Sequence, residues 1–191
     1  MATIGLNNFR YSKLTESPDG KATYDGAHKP GKAVSCKVSV TNNDATLYAD
    51  DGLAESDYSF NNATVTMGID EGDLQTMADL LGHKVTPGDD GASGEIVRNS
   101  NDVAPYVGLG RVITKVINGV YKYKVEFLYK VKFSEPSQED KTKGDKVDFS
   151  TVELEGVAST LANGDWSKAK TFDTKQEAIT YLEGLLAKAS F

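Results

Sequence analysis

The sequence is poor in the residues that most often carry chemistry. It contains one cysteine and two histidines in 191 residues. A single cysteine, Cys36, excludes an intramolecular disulfide, and one cysteine with two scattered histidines does not supply the clustered ligands of an ordinary zinc site. Nucleophilic catalysis usually needs a base, most often histidine, beside the nucleophile. His28 lies in a turn-rich segment and His83 at a helix end, so the sequence predicts neither an enzyme nor a bound cofactor.

Catalytic and cofactor motifs are missing as well. The chain has no G-x-S-x-G segment, and "GLGRVI" lacks a third glycine and leads into a strand, so it does not fit a dinucleotide-binding loop. The acidic runs "DDG" and "GDDG" miss the spacing of an EF-hand loop, although calcium binding stays open. Carboxylates are plentiful but are not placed in a recognisable cleft. Trp166 and nine tyrosines leave a sugar-binding platform open, although aromatic residues at strand spacing more often form a core.

The sequence has no long hydrophobic run. No stretch reaches 18 consecutive apolar residues, which excludes a transmembrane helix, and "MATIGLNNFRYSKL" lacks the basic and then apolar pattern of a signal peptide. We therefore expect a protein that is made and kept in the cytoplasm and has no membrane partner. Its apolar content of 39% is enough for a packed core, and its length predicts a single domain spanning residues 1–191.

Basic residues are scarce in one part of the chain. Residues 44–95 hold twelve Asp or Glu against Lys84 alone, whereas residues 111–146 hold nine Lys or Arg against five acids. The net charge of −7 argues against binding of nucleic acid, because affinity for phosphate comes mainly from basic side chains. The uneven distribution permits head-to-tail contact between copies. Plain solvation of a charged surface is the alternative.

The hydrophobic periodicity predicts a mainly β (α+β) chain with two helices. Strands are expected at residues 32–41, in "NATVTMGI" and in "VDFSTVELEGVAS". The segment "DEGDLQTMADLLGH" predicts an internal helix that ends at Gly82. Thr174 and Glu177 have the spacing of a capping box at the start of a C-terminal helix. The expected place of Cys36 is the core, on the same side of "AVSCKVSV" as Val34, Val38 and Val40.

Three segments are expected to be irregular. Residues 1–31 are rich in turn residues and are predicted to form an N-terminal arm with one short strand. Residues 41–60 are predicted to form a long acidic loop, which is too long to be a simple connection. Residues 134–146 are predicted to form a charged loop, because Pro136 ends the preceding strand.

The most regular pattern predicts a long β-hairpin around Asn118 and Gly119. This pair suits a type I′ turn, in which both central residues take positive φ. The turn pairs Val116 with Tyr121, Thr114 with Tyr123, and Val112 with Val125. One face of the second strand carries Tyr121, Tyr123, Val125, Phe127, Tyr129, Val131 and Phe133, and the other carries Lys122, Lys124, Glu126, Lys130 and Lys132. A strand much longer than average needs a large sheet or a neighbouring subunit to cover it.

Two classes of function fit these residues. A β-sandwich module that binds a ligand or carbohydrate would need an apolar pocket, which a sequence does not reveal. An assembly subunit would need long ribbons, extended loops and complementary charge, all of which the sequence contains. The residues by themselves leave both interpretations open.

Four segments carry a family resemblance: "TLYADDGLAESDYSF", "DVAPYVGLGR", "NGVYKYKVEFLYKVKFSEPSQEDKTKGDKVDFSTVELEG" and "TFDTKQEAITYL". In their order and spacing, from about Gly5 to Leu185, the chain closely resembles the major tail proteins of siphophages and prophages of Gram-positive bacteria. The most specific parts are "APYVG" before the hairpin and "LYKVKFSEPSQEDKTKG" after it. The resemblance implies the phage tail-tube fold, in which two packed antiparallel β-sheets form a sandwich or barrel with a flanking helix. Some relatives add a C-terminal immunoglobulin-like domain, which this chain is expected to lack.

The resemblance also implies a function as the structural subunit of a tail tube. Six copies would close into a ring, and rings would stack into a hollow conduit through which phage DNA passes without specific binding. The implied partners are other copies of the chain, the tape measure protein, the tail terminator and the distal tail protein. The implied location is the virion, after synthesis and assembly in the host bacterial cytoplasm.

Three parts of the chain follow as candidates for contacts in such a tube, and one of them is the N-terminal arm, residues 1–31, which is expected to become ordered only on assembly. The acidic loop is expected to line the lumen, where it would repel DNA, or to contact the next ring through Asp50, Asp51, Glu55 and Asp57. The hairpin and the charged loop are expected to contact neighbouring subunits through Arg111, Lys115, Lys122, Lys124, Glu135, Glu139, Lys141 and Lys143. Which face of the hairpin lines the lumen stays open, because both rows of side chains could face a neighbour.

Overall fold

The computed structural model describes residues 2–17, 21–49, 52–70, 73–86, 94–137 and 151–187, and in the strands around residue 50 it describes the backbone alone for 45–49 and 52–57. The strands are β1 (Ala2–Glu16), β2 (Ala22–Tyr24), β3 (Ala33–Ala49), β4 (Gly52–Ile69), β5 (Lys84–Thr86), β6 (Glu95–Val97), β7 (Val107–Ile117), β8 (Val120–Phe133), β9 (Val152–Ser159) and β10 (Ser167–Phe172). The helices are α1 (Leu74–Leu81) and α2 (Lys175–Leu186). Within the described ranges, neither helix is long and apolar enough to cross a membrane.

The strands form an antiparallel sheet in the order β2-β1-β7-β8-β9-β4-β3, and β5 pairs with β6 in a small separate sheet. Strand β8 changes its partner along its length, since β10 pairs with residues 123–128 and β9 pairs with residues 130–133. The sheet divides at this point into halves that pack as a sandwich. The prediction of a mainly β sandwich with two helices is confirmed, and among the described residues the sheet does not close into a barrel.

The division of the sheet creates two hydrophobic cores. Helix α1 closes the first core and helix α2 the second. From β8 the first core takes Leu128, Val131 and Phe133, and the second takes Val125, Phe127 and Tyr129. The prediction that all the odd-numbered residues from Tyr121 to Phe133 share one face was therefore wrong. Val107 pairs with Val131 but Leu109 pairs with Leu128, so β8 has one residue more than β7 between these two pairs. This extra residue is a bulge, and beyond it the odd-numbered and even-numbered residues of β8 exchange faces.

The local predictions around turns and caps are confirmed. Asn118 and Gly119 have φ values of 51° and 79°, and the three predicted cross-strand pairs are present. Asp73 caps α1, and Gly82 ends it with a φ of 81°. Thr174 and Glu177 form the reciprocal capping box of α2.

The prediction for residues 1–31 was largely wrong, because β1 is a 15-residue strand between β2 and β7. Its side chains Phe9 and Tyr11 are among the most buried of the described residues. Two register shifts against β7 interrupt its alternation. Since period-2 patterning is the main sequence signal of a strand, these bulges conceal β1 in the sequence.

The prediction of an acidic loop at residues 41–60 was also wrong, because β3 and β4 continue through it as a paired hairpin. Strand β9 pairs with β4 only over residues 63–69. The residues 42–49 and 52–60 therefore pair only with each other, and we call this projecting hairpin the ribbon. Because no described residue covers the ribbon, its strands show no alternation of apolar and polar residues. The ribbon also contains Asn, Asp and Gly, which are residue types that strands generally contain rarely.

The expected core position of Cys36 is only partly correct. Cys36 and Val38 pack against the first core while half-buried, but Val34 and Val40 are 51% and 47% exposed. Strand β3 lies at the end of the strand order and has a register shift near its start. Side chains on an edge strand have fewer neighbours, so an apolar alternation does not guarantee burial there. Strands β5, β6 and β10 were not predicted.

Candidate assembly interface

The ribbon extends beyond the part of β4 that pairs with β9. Its eight residues on β3 extend the hairpin by roughly 26 Å beyond the sheet, at 3.3 Å per residue. A two-stranded hairpin by itself is at best marginally stable in water. Residues 42–60 contain five Asp or Glu and no Lys, Arg or His. The ribbon is thus a long acidic element that lacks a covering partner within the described residues.

The root of the ribbon is held firmly to the body of the domain. Phe60 stacks on Trp166, with ring centroids 4.4 Å apart and planes 11° apart. The register shifts at the same point, where Thr41 pairs with Asn62 but Asn42 pairs with Phe60. A bulge at this place bends the pair of strands, and the stacked rings set the direction in which the ribbon leaves the sheet.

The sheet also ends in open edges. Among the described residues, β3 pairs only with β4, so its outer edge presents unpaired backbone N–H and C=O groups. At the other end of the strand order, β2 covers β1 only over residues 14–16. Open edges of this length are sites where another chain can add a strand.

Two of the four predicted acidic contacts, Glu55 and Asp57, lie on the ribbon. The backbone of Glu55 pairs with Leu47, and that of Asp57 pairs with Ala45. The side chains of Glu55 and Asp57 lie outside the description, as do Asp50 and Asp51 entirely. The prediction that these four carboxylates line a lumen or contact a ring remains a prediction.

Several predicted basic contacts are engaged within the subunit. The Arg111 guanidinium, 12% exposed, lies 2.5 Å from Glu126 Oε2 and donates to Cys36 Sγ at 2.7 Å. Lys124 also donates to Glu126. Burial raises the pKa of the Glu126 carboxyl, but Lys124 and Arg111 outweigh burial and hold this pKa below its usual value. Lys122 forms an ion pair with Asp173 at 2.5 Å.

The remaining predicted contacts differ in their surroundings. Lys115 is half-buried and has no ion pair within the described part of the chain. Glu135 is held at the end of β8 by Arg98 and His83. The positions of Glu139, Lys141 and Lys143 lie outside the described residues.

A cavity of about 360 Å³ lies beside the Arg111–Glu126 pair and is lined in part by Val38, Leu128 and Trp166. Phe60 covers one face of the Trp166 ring, and the sugar platform remains a prediction. In the part of the chain that the structure describes, no group of three or more His, Cys, Asp or Glu is placed to hold a metal ion.

The cluster around His83 was not predicted from the sequence. The Nδ1 atom of His83 lies 2.8 Å from Asp102 Oδ2 and its Nε2 lies 2.8 Å from Glu135 Oε2, while the side chain is 7% exposed. Arg98 Nε lies 2.8 Å from the other oxygen of Glu135. The cluster ties the end of α1 to the segment before β7 and to the start of the charged loop. The partners are 19 and 52 residues away in sequence, so no local signal predicts them.

Both ring nitrogens of His83 face carboxylates, so the ring must be protonated to donate to both. Hydrogen bonding to Asp102 raises the pKa of His83, and Glu135 adds to this effect against the opposing effect of burial. The same contact lowers the pKa of Asp102. A raised histidine pKa stabilises the fold fully below the unfolded value of about 6.5, and this stabilisation is lost as the pH rises through the folded pKa.

We therefore expect the melting temperature to decrease as the pH rises above about 6.5, and His83→Gln to remove this decrease. At pH 6 the substitution should lower the free energy of unfolding by about 1–2 kcal/mol, because it removes charge-assisted hydrogen bonds from a partly exposed cluster. Thermal unfolding at pH 5.5 to 9 measures both effects. His28→Gln is the matched control, because His28 is exposed and should keep the wild-type profile. An unchanged pH profile in His83→Gln would contradict the assignment.

Comparison with known proteins adds no family to this picture. A scan against models of known protein families found no match, and a search among curated proteins found none.

Proposed function

We propose that this protein is the structural subunit of a phage tail tube, in which sixfold rings of the chain stack into a hollow conduit for DNA. The main observation in favour is the ribbon together with the open edge of β3. Neither has a covering partner within the described residues, and both are elements that other copies of the chain can cover. The motif resemblance points to the same function.

The proposal assigns the chain a mechanical and not a catalytic role. Copies add strands to one another around the ring, which removes the open edges, and the ribbon reaches a neighbouring copy. DNA passes through without specific binding, since an acidic subunit repels phosphate. The remaining partners would be the tape measure, tail terminator and distal tail proteins, and the location would be the virion.

Size-exclusion chromatography with light scattering, followed by negative-stain microscopy of the concentrated protein, tests this proposal. Hollow rings or tubes with sixfold symmetry are the expected result. A monomer that does not polymerise, even with a tail-tip or tape measure partner added, would contradict it. In that case the cavity beside Trp166 would favour the alternative, a sandwich module that binds a small ligand.

A further inference from the structure

The ribbon carries an exposed tyrosine beside an exposed carboxylate. Tyr58 is 64% exposed and pairs directly with Asp44 across the two strands of the ribbon. Directly opposite residues of an antiparallel pair lie on the same face, so the ring and the carboxylate lie together. Asp44 is also exposed and forms no ion pair with any described residue. We call Tyr58 and Asp44 the anchor.

The anchor lies on the face of the ribbon that is buried nearer the body of the domain. Phe60 and Tyr58 are two residues apart in β4 with no register shift between them, so they share a face. Phe60 packs against the first core and stacks on Trp166, whereas Tyr58 is left mostly exposed. Tyrosine is enriched at protein interfaces because its ring buries a large apolar area while its hydroxyl stays hydrated. Its position here is typical of an interface residue.

The cavity of about 360 Å³ beside Trp166 lies between two strands with open edges. Val38 of β3 lines one side of it and the start of β10 lines another. Among the described residues, β3 pairs only with β4, and β10 pairs only with β8. Leu128 and Trp166 complete the apolar part of the lining. Pockets that hold small ligands have volumes of about 300–1,000 Å³, so a cavity near the lower limit suits a single large side chain.

The cavity also has an excess of positive charge. Arg111 and Lys124 both donate to Glu126, so two cations share one carboxylate. Lys168 also lines the cavity, and no other described acid does. The ribbon has the opposite charge, since residues 42–60 contain five Asp or Glu and no Lys, Arg or His. An apolar cavity with excess cations therefore complements a tyrosine beside a carboxylate.

We propose that the anchor of one copy inserts into the cavity of a neighbouring copy, with the Tyr58 ring against Leu128 and Trp166 and the Asp44 carboxylate near Lys124. The cavity of the same copy does not hold the anchor, since Tyr58 is mostly exposed. A contact between two unlike surfaces of one chain is heterologous and repeats from copy to copy. The inference rests on the proposed tail-tube function and identifies the surface that receives the ribbon.

Substitutions at Tyr58 test the anchor. Tyr58→Ala should raise the protein concentration needed for assembly by about tenfold or more, because it removes the aromatic side chain at the centre of the contact. Tyr58→Phe keeps the ring and should assemble close to wild type. Val103→Ala removes apolar surface from a position that is 71% exposed and lies outside the ribbon and the cavity, and it should also assemble as wild type. Sedimentation of polymer measures the concentration.

A substitution in the cavity tests the same contact from the other side. Ala169 is exposed and lines the cavity, so Ala169→Trp should block entry of the anchor while both cores stay intact. We expect a loss of assembly similar to that of Tyr58→Ala, with a melting temperature close to wild type. The double variant should lose no more than either single variant, because both changes remove one contact. Fully additive losses would contradict the pairing of these two surfaces.

A crosslink provides a further and independent measurement. In a Cys36→Ser background, Tyr58→Cys combined with Ala169→Cys should give a ladder of oxidised oligomers, and either cysteine alone should not. Wild-type tubes that tolerate both Tyr58→Ala and Ala169→Trp, with no ladder, would overturn this contact and leave the proposed function intact. A disulfide within one monomer would also overturn it, since the anchor would then occupy its own cavity. A wild-type protein that stays monomeric would contradict the proposed function and this contact together.

Discussion

If the proposed tube forms, shortening the ribbon should abolish ring and tube formation but leave a folded subunit. Asn42 and Phe60 are cross-strand partners, so an Asn-Gly turn can join them directly in place of residues 43–59. The variant keeps the Phe60–Trp166 stack and removes no residue of either core. Assembly should be lost because, in the proposed tube, the ribbon reaches a neighbouring copy that the shortened hairpin cannot contact.

Light scattering and negative-stain microscopy measure the loss of assembly, and thermal unfolding measures the fold. We expect a melting temperature within a few degrees of wild type, because the ribbon pairs only with itself. A second variant, in which an Asn-Gly turn joins the cross-strand partners Asp44 and Tyr58, controls for misfolding at the new turn. Normal tubes from the shortest variant would show that the ribbon has no part in assembly.

Phe127→Ala should lower the free energy of unfolding by about 3–5 kcal/mol, because it leaves a large cavity in a tightly packed core. Phe127 is fully buried and meets Tyr24 and Tyr129 edge-on, with centroids 5.5 and 5.2 Å away. Gly108 lies against the same ring, since a Cβ atom there would lie 2.9 Å from Phe127 Cζ. Such a loss is at least about a fifth of the 5–15 kcal/mol by which domains are usually stable.

Urea unfolding of the two proteins measures the difference. Gly184→Ala is a control with the opposite expected effect on stability, since the helical Gly184 has open space around the position of a Cβ atom. It should stabilise the protein by about 0.5–1 kcal/mol. A loss below about 1 kcal/mol in Phe127→Ala would mean that the second core collapses around the cavity or contributes little to the fold.

The local elements of the fold could be predicted because short-range chemistry determines them. The Asn118–Gly119 turn follows from the need for positive φ at two neighbouring residues. The start of α2 follows from the reciprocal hydrogen bonds of Thr174 and Glu177. The turn also determines the pairing register of the residues beside it, because a two-residue turn allows the flanking strands to align in only one way.

The elements that could not be predicted depend on bulges and on distant partners. One extra residue in β8 moves Val131 and Phe133 into a different core from Phe127. The alternation of residues in the sequence does not predict this bulge. The ribbon shows no alternation of apolar and polar residues because none of the described strands or helices covers its faces. The partners of His83 come from segments that only the folded chain brings together.

The sequence by itself determined the mainly β class, the two helices, the hairpin turn and the separation of acidic from basic segments. Each of these features depends on secondary-structure propensity, on hydrogen bonds between residues a few positions apart, or on amino-acid composition. Only the tertiary structure decided which lysines are neutralised within the subunit and which remain available. Lys122 and Lys115 are alike in the sequence, but Asp173 lies beside one of them and no described carboxylate pairs with the other. Charge balance depends on distances of a few ångströms between distant segments, and packing alone sets those distances.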